Sequence, residues 1–494
     1  MKLPNFKRIL SRFIYICIAL IFVQCEEDEE TQSRFNVTFI DTRGGSVNQS
    51  SGLFDKGTYL TVEAIPDENF CFVNWSGSID SDENPTSLTV FKELSLQPNF
   101  EFFGDAVYLD ENSITTKAKE GALIGGTGKI NGVVYTIISE EDLRIKIENG
   151  EDLSKYCTSL VTSMSGFFRS SRGPEQGVEE FDFDINNWDV SNVTDMSSMF
   201  YRYRNIKGLD HWDVSNVTDM NFMYSNCLIN SDLSMWGVSN VTNMNGMFSS
   251  TRLSGDISEW NVSKVTDMSG MFGFDPNTYN IGPAYFDSDI SEWDVSNVQN
   301  MSNMFDGLIY FNVDISNWDV SKVNDMSGMF SSNYSFNQDL SSWNISKVSN
   351  MSYMFKEAKS FDGDISNWDV SEVANMRFMF SQATAFNQDL SNWDVSKVTV
   401  MYGMFYGSRS FNQDLNSWDV SNVTDMSNMF QGAESFNQEL NNWEVSNVTN
   451  MNEMFSRTES FNQDLSNWDV SNVTDYSNFS TDASSWTLPK PSFQ

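Results

Sequence analysis

The chain has 494 residues and is strongly acidic, with 68 Asp and Glu against 30 Lys and Arg and a formal net charge of −38. Such a charge repels nucleic-acid phosphates and anionic lipid headgroups, so we expect no nucleic-acid partner. The single histidine, His211, excludes a histidine-based triad, relay or zinc site that repeats along the chain, and we interpret it as incidental.

Residues 1–24 have the order of a secretory signal. Four basic residues and no acid come first, and an apolar run, 13–23, follows that is too short to span a membrane as a helix. The run ends at Phe22-Val23-Gln24-Cys25, which resembles a bacterial lipoprotein signal, although that family prefers Leu where Phe22 stands and a small residue where Gln24 stands.

The lipoprotein resemblance implies that Cys25 is lipidated and that the membrane is reached only through this anchor. The acidic run 26–30 resembles the surface-export signal of Bacteroidetes lipoproteins, which implies a protein held at the outer membrane and displayed at the cell surface. A plain cleaved signal or an uncleaved anchor is the alternative.

An acidic tether, 25–34, leads to a small β-rich domain over 35–103, where short alternating runs are separated by Gly, Pro and Asn/Asp turns. The order of GGSV, GTYLTVEAIP, FVNWSG and a closing NF resembles the divergent InlB B-repeat of bacterial surface proteins, which implies a spacer or adhesive unit. We interpret Phe72 and Trp75 as core, because one aromatic cluster must fill so small a domain.

A connecting segment, 104–150, contains a predicted hairpin with its turn at Asn131-Gly132 and a short predicted helix, EEDLRIKIENG, that stops at Gly150. The run 125–129, GGTGK, fails the phosphate-loop pattern, because Ile130 stands where Ser or Thr is required. Nucleotide binding is therefore rejected.

Tryptophan then returns at a nearly fixed interval. Most spacings are 24 or 25 residues and one is 33, with the series Trp188, Trp212, Trp236, Trp260, Trp293, Trp318, Trp343, Trp368, Trp393, Trp418, Trp443 and Trp468. Tyr156 is interpreted as the same position in a worn first repeat. A period of this size predicts a solenoid over 151–480, with about thirteen repeats.

The repeat over 411–435 illustrates what each coil needs. Val423, Met426, Met429 and Phe430 have helical spacing, so SNVTDMSNMFQG is predicted to form a short helix. The opposite arm is predicted to be a short strand or an extended corner near DLNSWDV. Trp, Phe, Met and Val are predicted to form ladders between coils. The NQ-acid triplet, as in 437–439, is predicted to satisfy backbone groups at corners.

The FNQDLSxWDVSNVTxMxxMF repeat resembles that of BspA-like leucine-rich-repeat surface proteins, which is also found in mycoplasma surface lipoproteins. The resemblance implies an LRR-like right-handed solenoid of short strands and short helices. It also implies adhesion to an extracellular protein or glycan.

Two insertions interrupt the period, 169–180 and 273–286, and we interpret them as the best candidates for recognition loops. At the other end, Tyr476, Phe479 and Trp486 depart from the repeat. They predict that 481–494 is a cap or tail.

Acidic residues recur at fixed positions, which leaves Ca²⁺ open as a ligand but favours a solvated edge. The two rows are Asp389, Asp414, Glu439 and Asp464, and Asp369, Asp394, Asp419, Glu444 and Asp469. Cys71, Cys157 and Cys227 match neither a disulfide framework nor a zinc pattern, and buried apolar roles are expected.

The leading hypothesis is a surface-anchored adhesion or binding protein that is not an enzyme and needs no cofactor. A polysaccharide-active enzyme, a passive spacer and a calcium-dependent adhesin remain the alternatives.

Overall fold

The structure is a computed structural model, and it describes residues 33–493 apart from 69, 103, 171–178, 254, 275–285 and 287. The predicted signal segment, Cys25 and nearly all of the tether lie outside the described residues. The chain divides into two compact units, one ending at Gly104 and one beginning at Asp105. No helix among the described residues is long and apolar enough to cross a membrane.

The described residues of the first unit form eight strands: β1 Arg34–Phe39, β2 Gly45–Val47, β3 Gly52–Asp55, β4 Tyr59–Val62, β5 Ala64–Pro66, β6 Phe70–Gly77, β7 Thr86–Thr89 and β8 Leu94–Phe102. The largest sheet has the order β3-β1-β8-β6, in which β1 and β8 are parallel, while β2–β5 and β4–β7 form two smaller pairs. The β-rich prediction for this region is confirmed.

Side-chain alternation decides what β6 buries. Trp75 is fully buried and Phe72 packs against the same core, as predicted. Cys71 is exposed, so the prediction of a buried cysteine is wrong there. Its neighbour Phe70 takes the inward face, and successive residues of a strand point to opposite faces.

The second unit begins with strands β9 Val107–Leu109, β10 Thr116–Ala118, β11 Thr127–Ile130 and β12 Val133–Ile137, followed by helix α1 Glu140–Glu148 and strand β13 Tyr156–Cys157. The predicted hairpin is confirmed, since Asn131 and Gly132 join β11 to β12 with φ of 49° and 88°. The predicted helix is also confirmed. Ser139 caps it by accepting the backbone N–H of Asp142 at 3.0 Å, and Gly150 ends it with φ of 65°.

Beyond β13, the repeats stack in parallel. Three short strands, β14 Glu179–Glu180, β15 Tyr203–Ile206 and β16 Leu228–Ile229, pair in parallel. Elsewhere, each coil contributes a single parallel bridge to the next, as in Asp425 to Asn450 and Asn450 to Asp475. Beyond β13, the second unit is therefore built of small parallel contacts repeated along the chain.

The predicted helix within each repeat is wrong, because α1 is the only helix among the described residues. In the repeat at 411–435, Met426 N–H donates to Asn450 O at 3.0 Å, and Phe430 N–H donates to Met454 O at 2.9 Å. An α-helix would direct these groups to a carbonyl four residues back in the same segment. The apparent helical spacing instead comes from tight turns such as Met429 N–H to Met426 O, at 3.2 Å.

Of the short strand or extended corner predicted near DLNSWDV, the strand does not form. A turn closed by Trp418 N–H donating to Leu415 O at 3.1 Å occupies that segment. The parallel bridge lies instead at Asp425, inside the stretch predicted as a helix. Hydrophobic spacing locates the buried side chains in these coils but does not reveal the backbone geometry, because only tertiary contacts supply the hydrogen-bond partners.

The predicted core ladders are confirmed. Phe405 and Phe430 stack with ring centroids 5.7 Å apart, and Trp418 stacks on Trp443 at 6.5 Å. The indole N–H of Trp443 donates to Leu415 O of the preceding coil at 2.8 Å. Burying each such side chain contributes about 1.5–3 kcal/mol, and only stacked neighbours provide that burial.

The two ends of the stack also follow the predictions. Trp188 donates to Leu153 O, three residues before Tyr156, which matches the geometry of the later tryptophans and places Tyr156 at their position. At the other end, Trp486 meets Phe455 and Phe461 edge-on, at 73° and 80°. Its perpendicular ring covers the last Phe rings and ends the parallel ladder.

Candidate functional site

The insertions predicted as recognition loops lie largely outside the described residues, as does Cys25. Residues 171–178 fall within the first insertion, and 275–285 fall within the second.

The predicted acidic rows serve as turn caps. Ser391 N–H donates to Asp389 at 2.9 Å, and Ser471 N–H donates to Asp469 at 3.0 Å. Hydrogen bonds from the backbone and hydroxyl of Ser391 lower the pKa of Asp389, and those from the hydroxyl and backbone of Ser471 lower that of Asp469. Most members of the two rows therefore stabilise a corner in this way, whereas Glu439 caps no turn among the described residues. Among the described residues, no group of three or more acidic, His or Cys side chains is placed to hold a metal ion.

The NQ-acid triplets behave as predicted. Asn462 N–H donates to Asn437 Oδ1 at 2.9 Å, and Gln463 Nε2 donates to Asn437 O at 2.9 Å. The same arrangement returns one coil earlier, where Asn437 N–H donates to Asn412 Oδ1. The amides thus connect successive coils.

Departures from the repeat single out another surface. Two residues lie between the paired methionines of each coil, as Ser427 and Asn428 lie between Met426 and Met429. The first of them is Ser or Asn in every coil from Ser165 to Ser477 except in two adjacent coils, which carry Arg377 and Tyr402. The second has positive φ throughout these coils, and Gly or Asn is the usual residue there.

Aromatic residues occupy that second position in three coils, at Phe222, Tyr353 and Phe378, with φ of 51°, 61° and 53°. Positive φ is unusual for a bulky side chain and costs roughly 1–2 kcal/mol per residue. Two of the three lie beside Arg377 and Tyr402. We call Tyr353, Arg377, Phe378 and Tyr402 the aromatic–arginine patch.

The patch is a continuous set of contacts across three coils. Phe378 lies 4.5 Å from Tyr402 and 5.5 Å from Tyr353 between ring centroids. The Arg377 guanidinium lies over Tyr402 at 4.8 Å, over Phe378 at 5.5 Å and over Tyr353 at 5.8 Å. The three rings are half-buried and Arg377 is exposed, so the patch presents aromatic surface and a cation to solvent.

A glycine supports this arrangement. A Cβ at Gly403 would overlap the Phe378 ring, and a Cβ at Gly246 would overlap the Phe222 ring in the same way. The Phe222 and Phe378 rings therefore lie across the next coil, where glycine leaves room for them.

A groove of about 440 Å³ adjoins the patch. We call it the polar groove, and its lining residues are Arg377, Val400, Tyr402, Asp425, Ser427, Asn428, Asn450, Asn452 and Asp475. The wall includes Val400, which is the one apolar residue in the series of bridges that links Ser163, Asp195 and their equivalents as far as Asp475. Three departures from the repeat, Arg377, Val400 and Tyr402, thus meet at one end of a groove whose remainder is polar.

A larger cleft of about 870 Å³ lies near the first coils, and three of its five acidic side chains, Glu151, Asp152 and Glu180, form ion pairs within the chain. Arg204 pairs with Glu180 at 2.7 Å, and Lys146 pairs with Glu151 at 3.0 Å. Part of its negative charge is therefore neutralised within the chain.

The buried cysteines and the single histidine make contacts within the fold. Burial raises the pKa of the Cys227 thiol to about 12, and it also raises the pKa of the Cys157 thiol, so both remain protonated as predicted for core residues. The His211 ring Nε2 lies 2.6 Å from Asn186 O.

Comparison with known proteins identifies the repeats. A family described as "Mycoplasma protein of unknown function, DUF285" matches residues 143–208, 175–282, 277–393 and 379–491. A second family, described as "Divergent InlB B-repeat domain", matches residues 35–102. Neither the curated proteins nor the solved structures contain a match.

Proposed function

The chain belongs to the Mycoplasma-type repeat family of unknown function, DUF285, and we propose that it is a surface-displayed adhesion protein that binds an extracellular protein or glycan through its stacked repeats. The match to the InlB B-repeat domain over 35–102 supports a surface role for the first unit. The formal net charge of −38 disfavours nucleic acid as the partner.

The aromatic–arginine patch is the observation that carries this proposal. Strained aromatics at Tyr353 and Phe378 are not needed to stack the coils, because other coils achieve the same backbone with Gly or Asn. Half-exposed rings beside a polar groove are typical of binding surfaces, in which aromatic residues and Arg contribute most of the affinity.

The proposed architecture is a BspA-like, LRR-like right-handed solenoid. The parallel bridge in each coil and the stacked Phe and Trp ladders support this interpretation. An experimental structure of the second unit tests it, and a left-handed coil would contradict it.

Display at the cell surface is proposed to depend on an outer-membrane lipid anchor at Cys25. Metabolic labelling with a radioactive fatty acid should label the wild-type protein and not Cys25→Ala. Protease treatment of intact cells should degrade the wild-type protein, and protection from the protease would contradict surface display.

We propose that binding involves no catalysis and no cofactor. The turn-capping use of the acidic rows favours this over a polysaccharide-active enzyme that uses those rows. A binding array of extracellular proteins and glycans, run with Ca²⁺ and with EDTA, should give the same ligands in both conditions. Loss of binding in EDTA would favour a calcium-dependent adhesin, and release of sugar products would favour an enzyme.

The array also tests the patch. Full-length protein should bind at least one array component, and the double variant Phe378→Asn with Tyr402→Ser should bind it at least about tenfold more weakly. Absence of any ligand for the wild-type protein would favour a passive spacer.

A further inference from the structure

We propose that the aromatic–arginine patch and the polar groove together bind a neutral glycan chain. This inference rests on the proposed function and identifies the class of its ligand. It is drawn from the chemistry of the patch, of the groove and of the surrounding charge.

The patch supplies the apolar half of such a site. The C–H faces of a sugar ring pack against aromatic faces, and Tyr402, Phe378 and Tyr353 form a half-exposed aromatic surface across three consecutive coils. Arg377 lies within 6 Å of all three rings and adds N–H donors for hydroxyl oxygens at the edge of the surface.

The polar groove supplies the hydrogen-bonding half. Four of its lining residues are Ser or Asn, namely Ser427, Asn428, Asn450 and Asn452. Amide side chains both donate and accept hydrogen bonds, as sugar hydroxyls do. Asp425 accepts the backbone N–H of Ser427 through Oδ1 at 2.9 Å, and its Oδ2 has no hydrogen-bond partner within the described residues and remains an acceptor for a hydroxyl.

The charge and polarity of the polar groove favour a neutral glycan over other extended ligands. Asp425 and Asp475 outweigh Arg377 within the groove, and the chain carries a net charge of −38, so an acidic polysaccharide is repelled. A proline-rich peptide requires a groove lined by aromatic residues. Only Val400 and Tyr402 are apolar or aromatic among the lining residues, which favours the hydroxyl-rich ligand.

The aromatic surface also depends on a glycine that the repeat does not require. Gly403 leaves room for the Phe378 ring, whereas Gly270 has the same φ of 59° with no atom within 4 Å of an added Cβ. Alanine at these two positions therefore introduces the same backbone strain but displaces an aromatic ring only at Gly403.

Calorimetric titration of the purified full-length protein tests the proposal directly. The probes are neutral hexasaccharides of glucose, mannose and N-acetylglucosamine, an acidic polygalacturonate and a proline-rich decapeptide. We expect saturable binding of at least one neutral hexasaccharide and no binding of polygalacturonate or the peptide.

Variants that restore repeat residues assign the binding to the patch without damaging the coils. Phe378→Asn with Tyr402→Ser should weaken glycan binding at least about tenfold, because two stacking surfaces are lost. The matched control Phe222→Asn makes the same change at the same coil position outside the patch and should leave affinity unchanged. Gly403→Ala should weaken binding, whereas Gly270→Ala should not.

The outcomes distinguish the ligand class from the general function. Glycan binding that survives the double variant would overturn the assignment to the patch. If no neutral glycan binds but an array protein or the peptide binds in a patch-dependent manner, the glycan inference fails and the proposed function stands. Absence of any patch-dependent ligand in the titrations and on the array overturns both.

Discussion

The positive-φ position between the paired methionines holds Gly or Asn in eight coils, Ser198 and Glu453 in two, and an aromatic residue in three. Gly and Asn hold this conformation at little cost, and they serve as plain components of the stack. Phe222, Tyr353 and Phe378 hold it at a cost in backbone strain, and two of them form a surface with Arg377 and Tyr402. Strain at these positions therefore indicates a role other than stability.

Replacing Phe222 with Asn should raise the free energy of unfolding by about 1 kcal/mol, because Asn tolerates positive φ better than a bulky aromatic residue. Phe222 is 39% exposed and its ring lies over Gly246, so the loss of this contact offsets part of the gain. Thermal denaturation followed by circular dichroism measures the change. A fall in stability would show that the ring contributes more to packing than the backbone strain costs.

Asp306 is predicted to make stability depend on pH. Burial raises its pKa to about 6, against the opposing hydrogen bond from Ser331. Because the folded pKa is raised, the contribution to stability is complete below the unfolded value of about 3.8 and is lost as the pH rises through about 6. Asp306→Asn should therefore stabilise the protein by about 2 kcal/mol at pH 7.5 and have little effect at pH 3.5.

The free energy of unfolding of the wild-type protein and of Asp306→Asn should be measured by denaturation between pH 3.5 and pH 7.5. Asp294→Asn serves as the control, since it also removes one negative charge but at an exposed position. Equal pH profiles for the wild-type protein and Asp306→Asn would contradict the assignment.

The single coil is the structural element that repeats along the second unit, and it is stable only when other coils stack against it. Its backbone N–H groups donate to the next coil, its Phe and Trp rings stack on those of its neighbours, and its corner amides connect adjacent coils. Each of these interactions needs an adjacent copy. This requirement explains why the same residue types recur at a nearly fixed interval.

The Trp ladder allows the indole hydrogen bond to be measured within this element. Trp418 Nε1 donates to Leu390 O at 2.9 Å, whereas the equally buried Trp212 Nε1 has no partner within the described residues. Trp418→Phe and Trp212→Phe therefore lose similar packing but differ in one hydrogen bond. We expect Trp418→Phe to be more destabilising by about 1–2 kcal/mol in chemical denaturation, and equal losses would show that the bond adds no net stability.

At the scale of the whole molecule, the ends of the second unit determine where the stack stops. Strand β13 pairs in parallel with β12 at one end, and Trp486 covers Phe455 and Phe461 at the other. An uncovered end would expose a row of aromatic rings and unpaired backbone groups, which promotes association with other chains.

Trp486→Ala should therefore destabilise the last coils by about 3 kcal/mol or more and promote self-association. Hydrogen exchange should show faster opening confined to the coils nearest Trp486, and size-exclusion chromatography should detect oligomers. Leu488→Ala is the control, because Leu488 lies two residues away and is 42% exposed. Uniform loss of protection along the stack would contradict a local capping role.

The amino-acid sequence by itself determined the repeat, its core and its ends. Each coil buries large apolar side chains against its neighbours, so these side chains must recur at fixed positions. The spacing of Trp418, Met426 and Phe430 was enough to predict which side chains pack, and the worn first repeat at Tyr156 and the cap at Trp486 followed from the same pattern. The backbone conformation of the coil did not follow, because a period of three to four residues is compatible with a helix and with successive tight turns. Only the hydrogen bonds between coils distinguish the two.

The candidate site was decided by tertiary structure for a related reason. Arg377, Val400 and Tyr402 lie within 26 positions of one another and are visible in the sequence as departures from the repeat, but so are many harmless substitutions. Stacking places equivalent positions of successive coils side by side, so that these departures, together with Tyr353 and Phe378, form one surface. The composition of the coil thus follows from the sequence, whereas the surface that distinguishes a few coils from the others depends on how they are stacked.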